Sequence, residues 1–198
     1  MKKLWLYCIC LLLTAPTLAA VKQVQGGADL RRAIRSLGGN DTLVVAAGNY
    51  TIDEIVTVGN NTVIMGEEGA RPSIELETFR IGTEASRLVF RNLDLKLRSR
   101  FLVGMLSQAD VDIDLIAFES CSIDLGGETG AGLVGGSSTV KEKNRIGMIR
   151  VDDCMVFNGG FPLHFVYTAG SSSQTRVEQI VLRNSTFSDM ARGVVVSS

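Results

Sequence analysis

Three aspartates in the segment ADVDIDL, residues 109–115, alternate with apolar residues. The aspartates are Asp110, Asp112 and Asp114, and their apolar partners are Val111, Ile113 and Leu115. Successive side chains of a β-strand point to opposite faces, so a strand here would place the three carboxylates on one side. Carboxylate oxygens suit a hard cation such as calcium. The spacing therefore predicts a calcium site, and the alternative is a solvent-facing edge whose apolar partners fill a core.

A glycine-rich segment, GAGLVG at residues 130–135, matches the G-x-G-x-x-G pattern of dinucleotide sites. Such a site needs a strand before the glycines and a helix that opens within them. The residues that follow, GSSTVKEKN, carry no helical pattern, so we interpret the segment as a flexible loop. The sole histidine, His164, alternates with Leu163 and Phe165. We expect it to face outward or to be a satisfied interior group.

One phrase recurs along the chain about every thirty residues. Its four copies are FRNLDLK, FESCSID, VDDCMVF and LRNSTFS, which begin at Phe90, Phe118, Val151 and Leu182. The third position of each copy is small and polar, and its occupants are Asn92, Ser120, Asp153 and Asn184. Asn and Asp tolerate a left-handed backbone best among residues other than glycine. The column therefore predicts a sharp corner between two strands.

The apolar residues on either side of each corner indicate the fold class. Both can face one interior, but a single coil cannot bury its own apolar side, so the coils must stack. The pairs are Phe90 with Leu95, Phe118 with Ile123, Val151 with Val156, and Leu182 with Phe187. The pattern predicts an all-β fold, a right-handed parallel β-helix of about five coils over residues 42–198, with the four polar residues at equivalent corners.

The repeat also places charged residues in columns. Arg91, Asp152 and Arg183 share the outward column before the corner, with Glu119 between the first two. Opposite charges one strand apart form a stabilising ladder, which we prefer to a catalytic role for an arginine. Asp152 and Asp153 fall in different columns, which argues against the paired carboxylates of a glycoside hydrolase. Further arginines at outward positions are Arg98, Arg100 and Arg150.

Two cysteines, Cys121 and Cys154, occupy the fourth position of neighbouring copies, between Leu93 and Ser185. A disulfide is the usual interpretation of two cysteines in an exported chain. Stacked residues about 4.8 Å apart would have parallel Cα–Cβ directions, which strain such a bond. We therefore expect buried, reduced thiols that act as small apolar fillers, and a disulfide is the alternative.

The first twenty residues have the pattern of a secretory signal peptide. Two lysines precede an apolar run over residues 4–13, and small residues follow as far as Ala19 and Ala20. The run is shorter than the roughly 20 residues that a membrane span needs. We expect cleavage after Ala19 or Ala20, which would also remove Cys8 and Cys10. A lipid anchor on one of these two cysteines is the competing interpretation.

The chain is predicted to have three regions: the signal peptide at 1–20, a capping region at 21–41, and incomplete β-helix coils at 42–198. Within the cap, ADLRRAIRSLGG at 28–39 has apolar residues at helical spacing, with Asp29 as the N-cap and Gly38 after the end. These apolar residues are Leu30, Ala33, Ile34 and Leu37. We expect them to cover the first coil, whose open edge would otherwise associate. The closing ARGVVVSS lacks a polar cap, so we expect the N-terminal portion of a longer protein.

The overall composition restricts the class of protein and its partners. The 198 residues are 45% hydrophobic and 21% charged, which is typical of a folded domain. The formal net charge is −1, and basic runs interleaved with aromatic residues are absent from the sequence. Nucleic acid is therefore not an expected partner.

Two segments resemble known β-helices. LVFRNLDL at residues 88–95 resembles the strand and turn of the pectate lyase superfamily, whose fold is a right-handed parallel β-helix. AIRSLGGNDTLVVAAGNYTI at residues 33–52 is similar to the opening of chondroitinase-type and alginate-lyase-type β-helices, and the later coils resemble secreted bacterial β-helix domains of unknown function. The resemblance implies that a bound cation, if present, neutralises a uronate carboxylate. His164 does not match the Gly-His-Gly segment of the polygalacturonase-like members.

We expect an exported monomer, periplasmic, cell-surface or extracellular, that binds carbohydrate or takes part in polysaccharide processing. Its mature chain should have no transmembrane span. One alternative is a polysaccharide lyase that cleaves a uronic-acid polymer by β-elimination, and another is a structural, adhesin-like stalk. A lyase needs a base beside a group that neutralises the uronate carboxylate. The sequence contains no complete set of this kind, so we assign no catalytic residue; the protein is expected to be noncatalytic or to have its active coils beyond residue 198, and calcium is the one cofactor considered.

Overall fold

The computed structural model describes residues 20–38, 40–59, 61–82, 85–105, 111–136, 143–160, 162–165, 174–192 and 195–196. Residues 1–19 of the predicted signal peptide lie outside the described residues, as does Asp110 of the predicted calcium site. The side chain of His164 lies outside them as well.

The described residues form one short helix and seventeen strands, which confirms the all-β fold class. In chain order the elements are β1 (Val21–Val24), α1 (Gly27–Arg35), β2 (Thr42–Val45), β3 (Asn49–Val58), β4 (Asn61–Gly66), β5 (Ser73–Ile81), β6 (Arg87–Arg91), β7 (Asp94–Leu97), β8 (Phe101–Met105), β9 (Asp112–Glu119), β10 (Ser122–Asp124), β11 (Gly132–Gly136), β12 (Lys143–Asp152), β13 (Met155–Gly159), β14 (Leu163–Phe165), β15 (Gln174–Arg183), β16 (Thr186–Met190) and β17 (Val195–Val196).

The strands form two curled sheets in which all described pairs are parallel. The first sheet has the order β1-β2-β4-β6-β9-β12-β15. The second has the order β16-β13-β10-β7-β5-β8-β11-β14-β17, and β3 also pairs with β5. After β2 the chain passes from one sheet to the other and returns beside the strand that it left. This arrangement is compatible with a β-helix-like solenoid.

The number of coils is higher than the repeated phrase predicts. Among the described residues the first sheet has six strands from Thr42 onward, where we expected about five coils. Four of these six strands end at a copy of the phrase, and the other two, β2 and β4, precede the first copy and are followed by turns that contain Gly48 and Gly69. Because glycine forms these turns without the polar corner residue, the phrase does not reveal them.

The four predicted corners share one backbone conformation. Their φ angles are 53° at Asn92, 51° at Ser120, 54° at Asp153 and 48° at Asn184, all in the left-handed region. The N–H of each of the first three donates to the carbonyl oxygen of the residue before the next corner, at 2.9–3.1 Å. The corners are therefore stacked in register, and the prediction of equivalent corners is confirmed.

The interior between the sheets is filled by apolar side chains. The rings of Phe79, Phe90 and Phe118 follow one another with centroids 5.0 and 5.3 Å apart. The first three predicted pairs that flank the corners are buried. In the fourth pair Phe187 is half-buried and packs against the core, whereas Leu182 is 42% exposed. Both lie on β15 and β16, the outermost strands of their sheets among the described residues.

Helix α1 covers the opposite end of the interior, as predicted. Leu30 and Ile34 are buried in the core, and Ala33 and Leu37 pack against it. The helix contacts β1, β2 and β3. Its apolar face therefore completes the core of the first coil.

Two details of the cap differ from the prediction. The N-cap is Gly26, because its carbonyl oxygen accepts the N–H groups of Asp29 and Leu30, and Asp29 lies in the first turn instead. The helix ends before Ser36, two residues earlier than Gly38 suggests. The region also begins with β1, which pairs with β2 and is too short to show a clear alternation in the sequence.

Candidate functional site

The two described aspartates of the predicted calcium site bind an arginine. Nη1 of Arg145 on β12 lies 2.7 Å from Oδ1 of Asp112 and 3.0 Å from Oδ1 of Asp114. Its Nη2 lies 3.1 Å from Oε2 of Glu178 on β15, and this contact lowers the pKa of Glu178. No group of three or more His, Cys, Asp or Glu residues in the described part of the chain is placed to hold a metal ion. The guanidinium of Arg145 therefore occupies the position in which a metal ion would contact Asp112 and Asp114. The predicted role of Asp110 as a calcium ligand stays a prediction.

The alternation of buried and exposed residues is interrupted along β9, which changes one predicted core position. Val111 and Ile113 are buried as expected, but Leu115 is half-exposed and Ile116 is buried in its place. Strand β12 approaches β9 closely at Gly147, where a Cβ would lie only 2.8 Å from the carbonyl oxygen of Asp114. Backbone crowding therefore explains why residue 147 is a glycine.

The predicted charge ladder lies on the outer face of the first sheet. Nε of Arg91 donates to Oε2 of Glu119 at 2.7 Å, and Nη2 of Arg183 donates to Oδ2 of Asp152 at 2.7 Å. Arg150 binds the other oxygen of Glu119. Each arginine of the ladder thus has a carboxylate partner, which supports the structural interpretation over a catalytic base.

The two adjacent aspartates have separate partners. Asp152 accepts from Arg183, whereas Oδ2 of Asp153 accepts from the hydroxyl of Ser120 at 2.9 Å. Asp153 is also the left-handed corner residue. Of the other outward arginines, Nε of Arg98 lies 3.9 Å from Oε1 of Glu75, beyond hydrogen-bonding distance, and the guanidinium of Arg100 lies over the ring of Phe101 at 5.1 Å.

The last four residues of the glycine-rich motif lie in a strand, so the interpretation as a loop is wrong for them and holds only for Gly130 and Ala131. Residues 132–136 form β11, and the next described element is the strand β12. A Cβ on Gly135 would lie 2.2 Å from the ring of Phe101, so close packing requires the glycine. Gly135 pairs with His164 of β14, whose side-chain role is not tested by the described residues.

The two cysteines are buried free thiols, as predicted. The N–H of Cys121 donates to Sγ of Cys154 at 3.4 Å, and each thiol donates to the carbonyl oxygen two residues before it. The contact with the Cys154 side chain, followed by burial, raises the pKa of Cys121 well above its ordinary value. Because the reactive form of cysteine is the thiolate, the buried Cys121 is not suited to be a nucleophile.

A basic depression beside α1 was missed by the sequence analysis. Its lining residues are Arg31, Arg32 and Arg35 of α1 and Glu54 of β3, and its volume is about 320 Å³. Oε1 of Glu54 lies 2.6 Å from Nη2 of Arg35 and 3.6 Å from Nε of Arg31. We call this site the arginine depression. The lining itself contains three guanidinium groups and one carboxylate, and Arg31 also pairs with Asp53 beside it, at 3.0 Å.

Arg32 is the least engaged of the three arginines. Its side chain is 84% exposed, and the carboxylate of Asp29 is 3.7 Å away, beyond hydrogen-bonding distance. Arg32 also lines a second cavity of about 310 Å³, whose other lining residues include Lys22, Gln23, Gln25 and Ser36. A guanidinium offers two parallel donors to a carboxylate or another oxyanion. Arg32 can therefore reach a ligand in either cavity.

Comparisons with known proteins do not identify the chain: no protein-family model matches it, and no curated protein is significantly similar. The helix in the described part of the chain is too short to cross a membrane.

Proposed function

We propose that this chain is an exported, right-handed parallel β-helix protein that binds acidic carbohydrate at the arginine depression. The right-handed coil is the expected hand, because about 98% of parallel crossover connections are right-handed. The lysines, apolar run and small residues of the first twenty positions support export to the periplasm, the cell surface or the outside. The described residues serve as a binding scaffold.

The observation that carries the proposal is the concave cluster of arginines on α1. Its volume of about 320 Å³ is at the lower end of the range of small-molecule sites, about 300–1,000 Å³. Uronic acids combine a carboxylate, which pairs with a guanidinium fork, with hydroxyls that suit polar side chains. The second cavity lined by Arg32 supplies amide and hydroxyl groups of this kind.

Arg32 separates this proposal from a purely structural role of the arginines. Arg32 and Arg35 lie in the last turn of α1, where a cation stabilises the helix dipole, and Arg31 and Arg35 also pair with Asp53 and Glu54. Arg32 makes neither of these two pairs, and its side chain is largely exposed. Its removal should therefore reduce ligand binding more than it reduces stability.

The test is calorimetric titration with a tetramer of galacturonic acid. We expect the wild-type protein to bind it, with weaker binding at high salt, and the neutral methyl ester of the tetramer to bind little. Arg32→Gln should weaken binding about tenfold, the effect of losing one charge-assisted hydrogen bond. Arg98→Gln is the matched control, since Arg98 is an exposed arginine that lies just after β7, away from α1. Equal affinity of Arg32→Gln and wild type would refute the site.

The same samples test the lyase alternative. β-Elimination produces an unsaturated uronate that absorbs in the ultraviolet, so product formation can be followed directly. We expect none from the wild-type protein, because the outward arginines of the ladder are paired with carboxylates. Product that is absent from a heat-denatured sample would favour the lyase and overturn the proposal of a binding scaffold.

A further inference from the structure

A buried carboxylate lies beside the predicted end of the signal peptide. Asp41, just before β2, is only 6% exposed. Its Oδ2 accepts the N–H of Gly38 at 2.7 Å and lies 3.2 Å from Nζ of Lys22. Its Oδ1 accepts the N–H of Ala20 at 3.0 Å. The backbone of Ala20 thus completes the environment of a buried acid.

Both backbone groups of Ala20 belong to the fold. Besides the bond to Asp41, its carbonyl oxygen accepts the N–H of Thr42 at 2.9 Å, which continues the pairing of β1 with β2. Cleavage after Ala20 would remove both hydrogen bonds. Cleavage after Ala19 would keep both bonds and convert the amide nitrogen of Ala20 into an amine.

We infer that the chain is processed between Ala19 and Ala20, and that the new α-ammonium of Ala20 forms an ion pair with Asp41. The inference rests on the export part of the proposed function. Hydrolysis by a signal peptidase consumes one water: the carbonyl carbon of Ala19 gains the hydroxyl, and the nitrogen of Ala20 gains a hydrogen. The amine then takes up a proton at neutral pH, because free α-amino groups have a pKa of about 7.7–8.0.

The ion pair fits the chemistry of Asp41. A buried carboxylate is costly unless opposite charge and hydrogen bonds compensate it. Lys22 supplies one charge from a side chain that is partly in solvent, and the ammonium of Ala20 supplies a second at the other carboxylate oxygen. The separation of 3.0 Å is already within hydrogen-bonding distance, so processing needs no rearrangement of β1.

The first experiment determines the amino terminus of the exported protein. The full chain is expressed in a bacterial host, recovered from outside the cytoplasm, and examined by intact mass and N-terminal sequencing. We expect a chain that starts at Ala20. An exported chain that starts at Val21 overturns the inference but leaves the proposed function intact, whereas an unprocessed chain retained in the cytoplasm overturns export and the inference together.

The second experiment tests the ion pair by the rate at which an acylating reagent modifies the α-amine near neutral pH. Pairing keeps the amine protonated and unreactive, so Ala20 should react about tenfold more slowly in wild type than in Asp41→Asn, equivalent to one pKa unit. Asp29→Asn, at an exposed carboxylate of α1, is the control and should react at the wild-type rate. Equal rates in wild type and Asp41→Asn would overturn the ion pair, and the wild-type terminus can be read even if Asp41→Asn does not fold.

Discussion

The apolar interior is covered at one end of the coil stack and partly exposed at the other. At one end α1 buries Leu30 and Ile34 against the first strands. At the other end Leu182 is 42% exposed, although it lies in the same column as the buried Phe90, Phe118 and Val151. Position in the repeat therefore directs a side chain inward, but a neighbouring layer is needed to bury it.

The largest effect should follow from breaking the capped end. Leu30→Asp combined with Ile34→Asp places two unpaired carboxylates against the core. We expect a loss of more than about 5 kcal/mol, comparable to the whole stability of many domains. Size-exclusion chromatography should then find aggregate or little soluble protein.

The matched variant at the other end of the stack is Leu182→Asp. Leu182 lies in the same column as the buried Val151 but is 42% exposed, so this variant should remain a soluble monomer. Soluble, monomeric behaviour of the cap double variant would show that α1 is not needed to cover the core.

A smaller change compares two positions of one column. Phe90→Ala removes a ring that is packed between Phe79 and Phe118, and should lower the free energy of unfolding by about 3–5 kcal/mol. Leu182→Ala should lower it by less than about 1 kcal/mol, because much of that side chain is already in water. Urea unfolding of both variants measures the difference. Equal losses would mean that Leu182 is buried in solution by a further layer.

The repeated phrase allowed the four later coils of the fold to be predicted from the sequence. Small polar residues such as Asn92 and Asp153 reveal the corners because few side chains accept a left-handed backbone. The phrase does not extend to the earlier coils, where pairing of Asn49 with Ser73, and of Ser73 with Asp94, puts Gly48 and Pro72 in the column of Leu93. Gly and Pro turn the chain by other means, so the early coils could not be counted from it.

The arginine depression could not be predicted because its parts are distant in sequence. Arg31, Arg32 and Arg35 lie on the face of α1 away from the core, where arginines are usually solvated. Glu54, which orders Arg31 and Arg35, comes from β3. In the same way Asp112 and Asp114 suggested a metal site because the sequence does not show that Arg145 lies one strand away.

Substitution of the two cysteines in the middle of the stack should lower the free energy of unfolding less than substitution of a core aromatic residue does. Cys121→Ala with Cys154→Ala removes two small buried groups that have neighbours on both sides, and should cost about 1–3 kcal/mol in total. A disulfide would add a further loss of about 2–4 kcal/mol.

Thiol titration of denatured, unreduced protein, followed by peptide mapping, should label both cysteines. If neither Cys121 nor Cys154 is labelled, the two cysteines form a disulfide. Ser185→Ala, in the same column at the exposed end, is the comparison variant, with an expected loss of about 1 kcal/mol from its hydrogen bonds to Cys154 and Arg183.

The smallest expected effect is a pH dependence that belongs to the capped end. The N–H groups of Gly38 and then Ala20, followed by Lys22, lower the pKa of Asp41 below its ordinary value of 3.8. A carboxylate whose pKa is lower in the folded state stabilises the fold above its ordinary pKa, and this contribution is lost as the pH falls through the folded value. Urea unfolding between about pH 5 and pH 2 should therefore show a loss of stability that is smaller in Asp41→Asn than in wild type. Asp29→Asn, on the exposed side of α1, should keep the wild-type slope, and parallel curves for Asp41→Asn and wild type would mean that Asp41 does not couple the cap to pH.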